Sequence, residues 1–168
     1  MNDQLSLNDL EKEAKEILEL CQKASLRITT AESCTGGLIV SCLTEIAGSS
    51  AVVGRSFVTY SNEAKQEMLG VSADTLEKFG AVSKETVQEM TSGALASAGT
   101  DADIAIAVSG VAGPGGGSAD KPVGTVWLCV EKRGEKAFSE KLIFSGDRRS
   151  IRLATVKRAF EIVREKAL

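Results

Sequence analysis

The sequence predicts an α/β fold, a three-layer α/β/α sandwich around a mixed, mostly parallel sheet, and three observations carry that expectation. Short β-branched or apolar segments alternate with helical stripes through the earlier part of the chain, the order from which parallel sheets with crossover helices are built. The run DIAIAVS at 103–109 is apolar without polar alternation, the pattern of a central strand covered on both faces. Two later strand candidates are joined through Arg133-Gly134, a hairpin signal, so the far part of the sheet turns antiparallel.

Taken in order, residues 6–25 place Leu7, Leu10, Ala14, Ile17, Leu18, Cys21 and Ala24 at steps of three and four, and Ser6 with Asp9 forms a capping-box pattern. A first strand at 27–30 runs through the turn TTAESCTGG into a helix whose stripe of Leu38, Ile39, Cys42, Leu43 and Ile46 stops at Gly48. Residues 51–60, AVVGRSFVTY, have the β-branched and aromatic content of a strand. Ser61 then caps a short helix that carries Lys65 and ends at Gly70. A further short helix covers 72–79. Ser83 caps a longer one with Val87, Met90, Ala94, Leu95 and Ala98 inward and Gly99 at its end. After the 103–109 strand, glycines crowd around Pro114 and neither helix nor strand can continue; the pattern resumes with a strand at 124–131, so this is a loop inside a domain and not a linker. A strand at 137–144 and a final helix with Ile151, Ala154, Ala159, Ile162 and Val163 inward complete about five strands and six helices. One domain over 1–168 is the expectation, because a chain of 168 residues buries enough surface for one core.

Composition narrows the chemistry. With 20 Lys+Arg against 23 Asp+Glu the chain is mildly acidic, which argues against general nucleic-acid binding. No apolar run approaches the roughly 20 residues of a membrane helix, and the opening MNDQLSLNDLEKE is too polar for a signal peptide, so a cytoplasmic setting without a membrane partner is expected. There is no histidine, which excludes Ser–His–Asp and Cys–His machinery. The four cysteines lack paired spacing and read as buried thiols, with Cys34 set apart because a helix N-terminus would lower its pKa. No metal site is indicated.

In open sheets ligands bind beyond the carboxyl ends of the strands, so the turns after Thr30, Tyr60, Ser109 and Phe144 should share one edge. Together they offer Ser33, Thr35, Tyr60, Lys65, Ser109, a run of glycine N–H groups and Arg148, a set suited to acyl transfer on a phosphorylated substrate. Two readings stand here. In the plain one Ser33 or Thr35 caps a helix, Lys65 is a solvated lysine, Tyr60 closes a strand and Arg148 opens a helix. In the chemical one Ser33 is a nucleophile, and its base is a lysine made neutral by burial, a tyrosine, or a carboxylate such as Glu32. The glycine loop with Arg148 would hold a phosphate, although it matches neither a Walker A loop nor a dinucleotide fingerprint.

The segments TTAESCTGG, FVTYSNEAKQEMLGV, GAVSKETV, VSGVAGPGGGSADKPVGTVW and FSGDRRSIR, in that order over about 10–168, closely resemble the CinA C-terminal domain family of nicotinamide-nucleotide amidases. The resemblance implies deamidation of nicotinamide mononucleotide to nicotinic acid mononucleotide and ammonia, without a metal or organic cofactor, by a homo-oligomer of the stand-alone form that lacks a fused molybdopterin-binding-like domain. It implies Ser33 as nucleophile, Lys65 as general base, Tyr60 as an aid to proton transfer, and N–H groups near Thr35, Gly36 and Gly37 as oxyanion donors. Ser109 would orient the amide. Gly110, Gly113, Gly115 and Gly116, with Arg148, would hold the phosphoribosyl end. The alternatives are a non-catalytic or regulatory module binding a nucleotide phosphate, and an amidase for another amide.

Overall fold

The structure is a computed structural model that describes residues 5–167; residues 1–4 of the polar N-terminus and residue 168 of the expected domain lie outside the described residues. The first helix, α1 (Leu7–Lys23), starts at the Ser6–Asp9 capping box read from the sequence and buries Leu10, Ala14, Ile17, Leu18 and Cys21, leaving Leu7 exposed. It leads to β1 (Ile28–Glu32) and α2 (Leu38–Thr44). Ser61 caps α3 (Asn62–Leu69), and Ser83 caps α5 (Lys84–Ala98), with α4 (Ala73–Phe79) between them. The remaining elements are β3 (Ile104–Gly110), β4 (Thr125–Lys132), β5 (Phe138–Ile143) and α6 (Arg148–Lys166).

The stretch expected as a ten-residue strand at 51–60 is instead a 3₁₀ turn at Ser49–Ala51, an isolated bridge from Val53 to Ile28, and a two-residue strand, β2 (Phe57–Val58). Gly54 and Arg55 interrupt the run, with the Arg55 guanidinium turned outward onto Ser97 O and Asp101. As β2 lies at the sheet edge, its brevity leaves little open backbone for another chain to pair with.

The sheet order is β2-β1-β3-β4-β5, with β1 parallel to β2 and β3, β4 antiparallel to β3, and β5 antiparallel to β4. Four strands therefore share one direction and β4 runs against them, which sends the chain ends of β1, β2, β3 and β5 to a common edge. Alternation along the strands builds two unequal cores. Ile28, Ile104, Ile106, Val108, Leu128 and Val130 meet α1, α2 and α6 on one face. On the other, Ala31, Ala105 and Ala107 meet α5, and these small residues let the helix approach closely. In α6 the inward set is Ile151, Leu153, Val156, Ala159, Phe160, Ile162 and Val163, while Ala154, expected inside, is half-buried.

One helix contact bears directly on the site. A Cβ on Gly93, in the middle of α5, would run into the carbonyl of Leu69, so α3 lies against α5 at backbone distance and Lys65, one turn before Leu69, is fixed in depth. Among the described residues, no helix is long and apolar enough to cross a membrane.

Candidate active site

The end of β1 sets the geometry. Its last residue pairs with Val108 on β3, and the Ser33 N–H extends that ladder by donating to Val108 O at 3.0 Å, which brings Ser33 beside Ser109. From there the chain turns sharply: Gly36 N–H donates to Ser33 O, Leu38 N–H to Thr35 O, and α2 begins after Gly37, whose φ of +94° is a left-handed conformation suited to glycine. This N-cap glycine has no side chain to cap the helix.

Lys65 comes to Ser33 from the opposite layer. Its Nζ lies 3.1 Å from Ser33 Oγ and donates to Thr59 O at 2.7 Å, and the side chain is only 1 % exposed. Burial pushes its pKa below the ordinary lysine value of 10.5, since desolvation disfavours the ammonium. Nζ thus sits between Thr59 O and the serine hydroxyl, in direct reach of Ser33 Oγ. The plain reading of Lys65 as a solvated lysine is therefore excluded by its burial.

The other expected residues fall into two groups. Tyr60 is exposed, and its hydroxyl accepts from Arg148 at 2.9 Å; it is bonded to neither Ser33 nor Lys65. Arg148 also donates to Gly113 O at 2.7 Å, joining the start of α6 to the glycine loop. That loop leaves β3 at Gly110, and its Gly115 and Gly116 are exposed. Ser109 is buried opposite Trp127. The expected oxyanion donors are corrected in part: Gly36 N–H is engaged by Ser33 O, while Gly37 N–H and the Thr35 hydroxyl are engaged by Glu32. In this turn the N–H groups of Cys34 and Thr35 meet no backbone acceptor among the described residues, and that of Cys34 faces its own thiol.

Cys34 also departs from expectation. Burial raises its thiol to about 11, so any helix-terminus effect is outweighed and the group is a protonated neighbour of Ser33 near neutral pH. Among the described residues there is no cluster of His, Cys, Asp and Glu able to hold a metal ion. Two surface hollows, of about 570 Å³ and 270 Å³, lie along α1 with α6 and along α1 with α2, away from Ser33 and Lys65.

Three contributors escape sequence reasoning. Thr59 supplies the carbonyl that orients Lys65. Arg152, within FSGDRRSIR, donates to Thr35 O at 2.6 Å. Glu32, weighed above only as a base, is fully buried and accepts from the turn around it. A carboxylate ending an otherwise neutral buried strand, directly before a candidate nucleophile, was the available signal for it.

The family model of the CinA C-terminal domain matches residues 10–167. The chain is 58 % identical over 126 residues to nicotinamide-nucleotide amidohydrolase PncC of Enterobacter agglomerans, covering 75 % of this chain and 76 % of that protein. It is 53 % identical over 125 residues to the protein of the same name from Escherichia coli K12, covering 74 % of each. The crystal structure of competence/damage inducible protein CihA from Agrobacterium tumefaciens superposes with a TM-score of 0.91 at 49 % identity, covering 95 % of this chain and 96 % of that one. A family match over nearly the whole chain, with relatives and a solved structure at this level of identity, places the chain in the CinA C-terminal domain family.

Proposed function

We propose that this protein is a nicotinamide-nucleotide amidase that converts nicotinamide mononucleotide and water to nicotinic acid mononucleotide and ammonia through a Ser33–Lys65 pair. The observation that carries it is the buried Lys65 amine at 3.1 Å from Ser33 Oγ, together with the activity named for relatives at 53–58 % identity. Lys65 takes the Ser33 proton as Oγ adds to the carboxamide carbon, then returns it to the departing NH₂ group so that ammonia leaves. The resulting ester is cleaved by water, whose proton passes to Lys65 and from there to Ser33 Oγ as the acyl C–O bond breaks, so that the product leaves as its carboxylate with Ser33 and Lys65 restored. Backbone N–H groups are needed for the tetrahedral oxyanion, and with Gly36 and Gly37 engaged this task falls to Cys34 and Thr35.

The phosphoribosyl end is assigned to the glycine loop and Arg148, whose guanidinium recognises phosphate in two-point fashion once it lets go of Gly113 O and Tyr60. Tyr60 joins the proton transfer only if substrate takes its place on Arg148. Ser109, beside Ser33, is assigned to the substrate amide. A homo-oligomer and a cytoplasmic setting accompany this proposal as the family resemblance implies them.

The deciding measurement is ammonia release from nicotinamide mononucleotide by purified protein without added metal, with free nicotinamide as the paired control. Release from the mononucleotide alone is expected. Binding of the nucleotide by calorimetry without any release would assign the chain to the non-catalytic module instead, and release from free nicotinamide at equal rate would sink the role of the phosphoribosyl end.

A further inference from the structure

Glu32, which precedes Ser33 in the chain, is bonded more fully than a general base could be and still accept a proton. It is 0 % exposed, and its carboxylate accepts from five donors. Oε1 takes Thr30 Oγ1 at 3.0 Å and Val40 N at 2.9 Å. Oε2 takes Thr35 Oγ1 at 2.7 Å, Gly37 N at 3.1 Å and Ile39 N at 3.0 Å. A carboxylate offers about four lone-pair sites, so this one has none left for the Ser33 proton, and its role as a general base is excluded.

Instead the donors describe a cap. Gly37, Ile39 and Val40 are the N-cap, second and third positions of α2, a helix whose own N-cap residue lacks a side chain and whose first turn holds no acid. The strand before the helix supplies the missing acceptor, with a full negative charge at the positive end of the helix. Meanwhile Arg152 draws on Thr35 O from outside at 2.6 Å. Thr35 is thus held through its hydroxyl from within and its carbonyl from without, and Ser33 and Cys34 span the short distance between two fixed points.

We infer that Glu32 is a positioning residue: its buried carboxylate ties the last residues of β1 to the first turn of α2 and so fixes Ser33 Oγ and the Cys34 and Thr35 N–H groups relative to Lys65. This rests on the proposed Ser33–Lys65 chemistry. Its effect is on geometry and not on the basicity of the lysine, whose lowered pKa comes from desolvation.

The test is Glu32→Gln, which keeps the shape but places an NH₂ group against a backbone N–H whichever way the amide turns. With nicotinamide mononucleotide as substrate, kcat is expected to fall about 100-fold, the size of loss that misplacement of a reacting group produces, while KM stays within about threefold and the rising limb of the pH–rate profile stays where it is in the wild type. Thr35→Val, which removes one of the five donors without changing shape, is expected to lower kcat about tenfold and Thr35→Ser to restore it, consistent with the loss of one charge-assisted bond. Should Glu32→Gln fail to fold, the threonine pair decides. The inference is overturned by Glu32→Gln with kcat within about threefold, by a loss confined to KM, by a displaced pH limb, or by Thr35→Val indistinguishable from wild type. Ser33→Ala run alongside separates the two levels: if it retains turnover the nucleophile itself is misassigned, whereas an inactive Ser33→Ala with an active Glu32→Gln sinks only the positioning role.

Discussion

Two glycine-bearing turns meet at the same edge of the sheet, and they use their glycines in opposite ways. In the turn at 33–37 the N–H groups of Gly36 and Gly37 are closed off by Ser33 O and Glu32, Leu38 N–H ends on Thr35 O, and those of Ile39 and Val40 inside the helix also end on Glu32. In the loop after β3, Gly115 and Gly116 stay exposed, and the chain is tied back by Val111 N–H on Thr125 O, Gly124 N–H on Val111 O and Ser118 N–H on Lys121 O. Two side chains tether it to the rest of the fold, Arg148 from α6 at Gly113 O and the loop's own Lys121 at Phe79 O. The difference teaches that glycine content alone does not make an anion site: a buried acid in the preceding strand turns the first turn into a rigid mount for a side chain, and the second, without one, keeps its central glycines exposed.

If the first turn is a mount for chemistry, the largest effect comes from removing its partner. Lys65→Ala is expected to lower kcat by about 100-fold or more, the usual scale for losing a general base, while calorimetry finds nucleotide affinity nearly unchanged. Activity within a few fold of wild type would mean that the base lies elsewhere. A smaller effect, of different kind, is expected at the second turn. Arg148→Met removes the tether on Gly113 and the partner of Tyr60 together, and KM for the mononucleotide should rise about tenfold, the lower end for losing charge-assisted bonds, with kcat within about threefold. Were Arg148→Met to reduce kcat instead, Arg148 and Tyr60 would belong to the proton path and the division between the two turns would fail.

The same contrast explains what the sequence disclosed. Helix caps were legible because they are local: Ser6, Ser61 and Ser83 each accept the N–H three residues on, as their spacing implies. The buried run of β3 and the hairpin between β4 and β5 were legible for the same reason. The residues alone left Lys65 as one of several candidate bases for Ser33 and the family likeness selected it, since a lysine on a short polar helix looks solvated until Gly93 and Leu69 bring α3 against α5. Arg152 was passed over because its partner is a backbone carbonyl, which carries no residue signature, and Glu32 was weighed only as a base because three of its five donors are backbone N–H groups. The strand expected at 51–60 failed because β-branched content says nothing of where a neighbouring strand ends; Gly54 and Arg55 leave the sheet, and two residues remain.

The finest test of the lysine's environment is a stability difference as a function of pH. The folded chain binds its Lys65 proton less tightly than the unfolded chain, whose lysine titrates near 10.5, so between the two values the unfolded state holds more protons and stability rises with pH. The thiols of Cys21, Cys34 and Cys42 act in the opposite sense. Burial lifts each from 9.0 to about 11, so their contribution is complete below 9.0 and is lost as pH rises through about 11. The bare stability curve mixes the two above 9.0; the difference between wild type and Lys65→Met cancels Cys21 and Cys42, which Lys65 does not influence, and is read below 9.0 because Cys34 and Lys65 act on each other. As pH rises from neutrality, that difference should move in favour of the wild type, readable as a Tm change of about 2–4 °C per kcal/mol for a chain of this size. A difference that stays flat would mean that Lys65 titrates as it does in water, and with it would go the claim that burial readies this amine to take the serine proton.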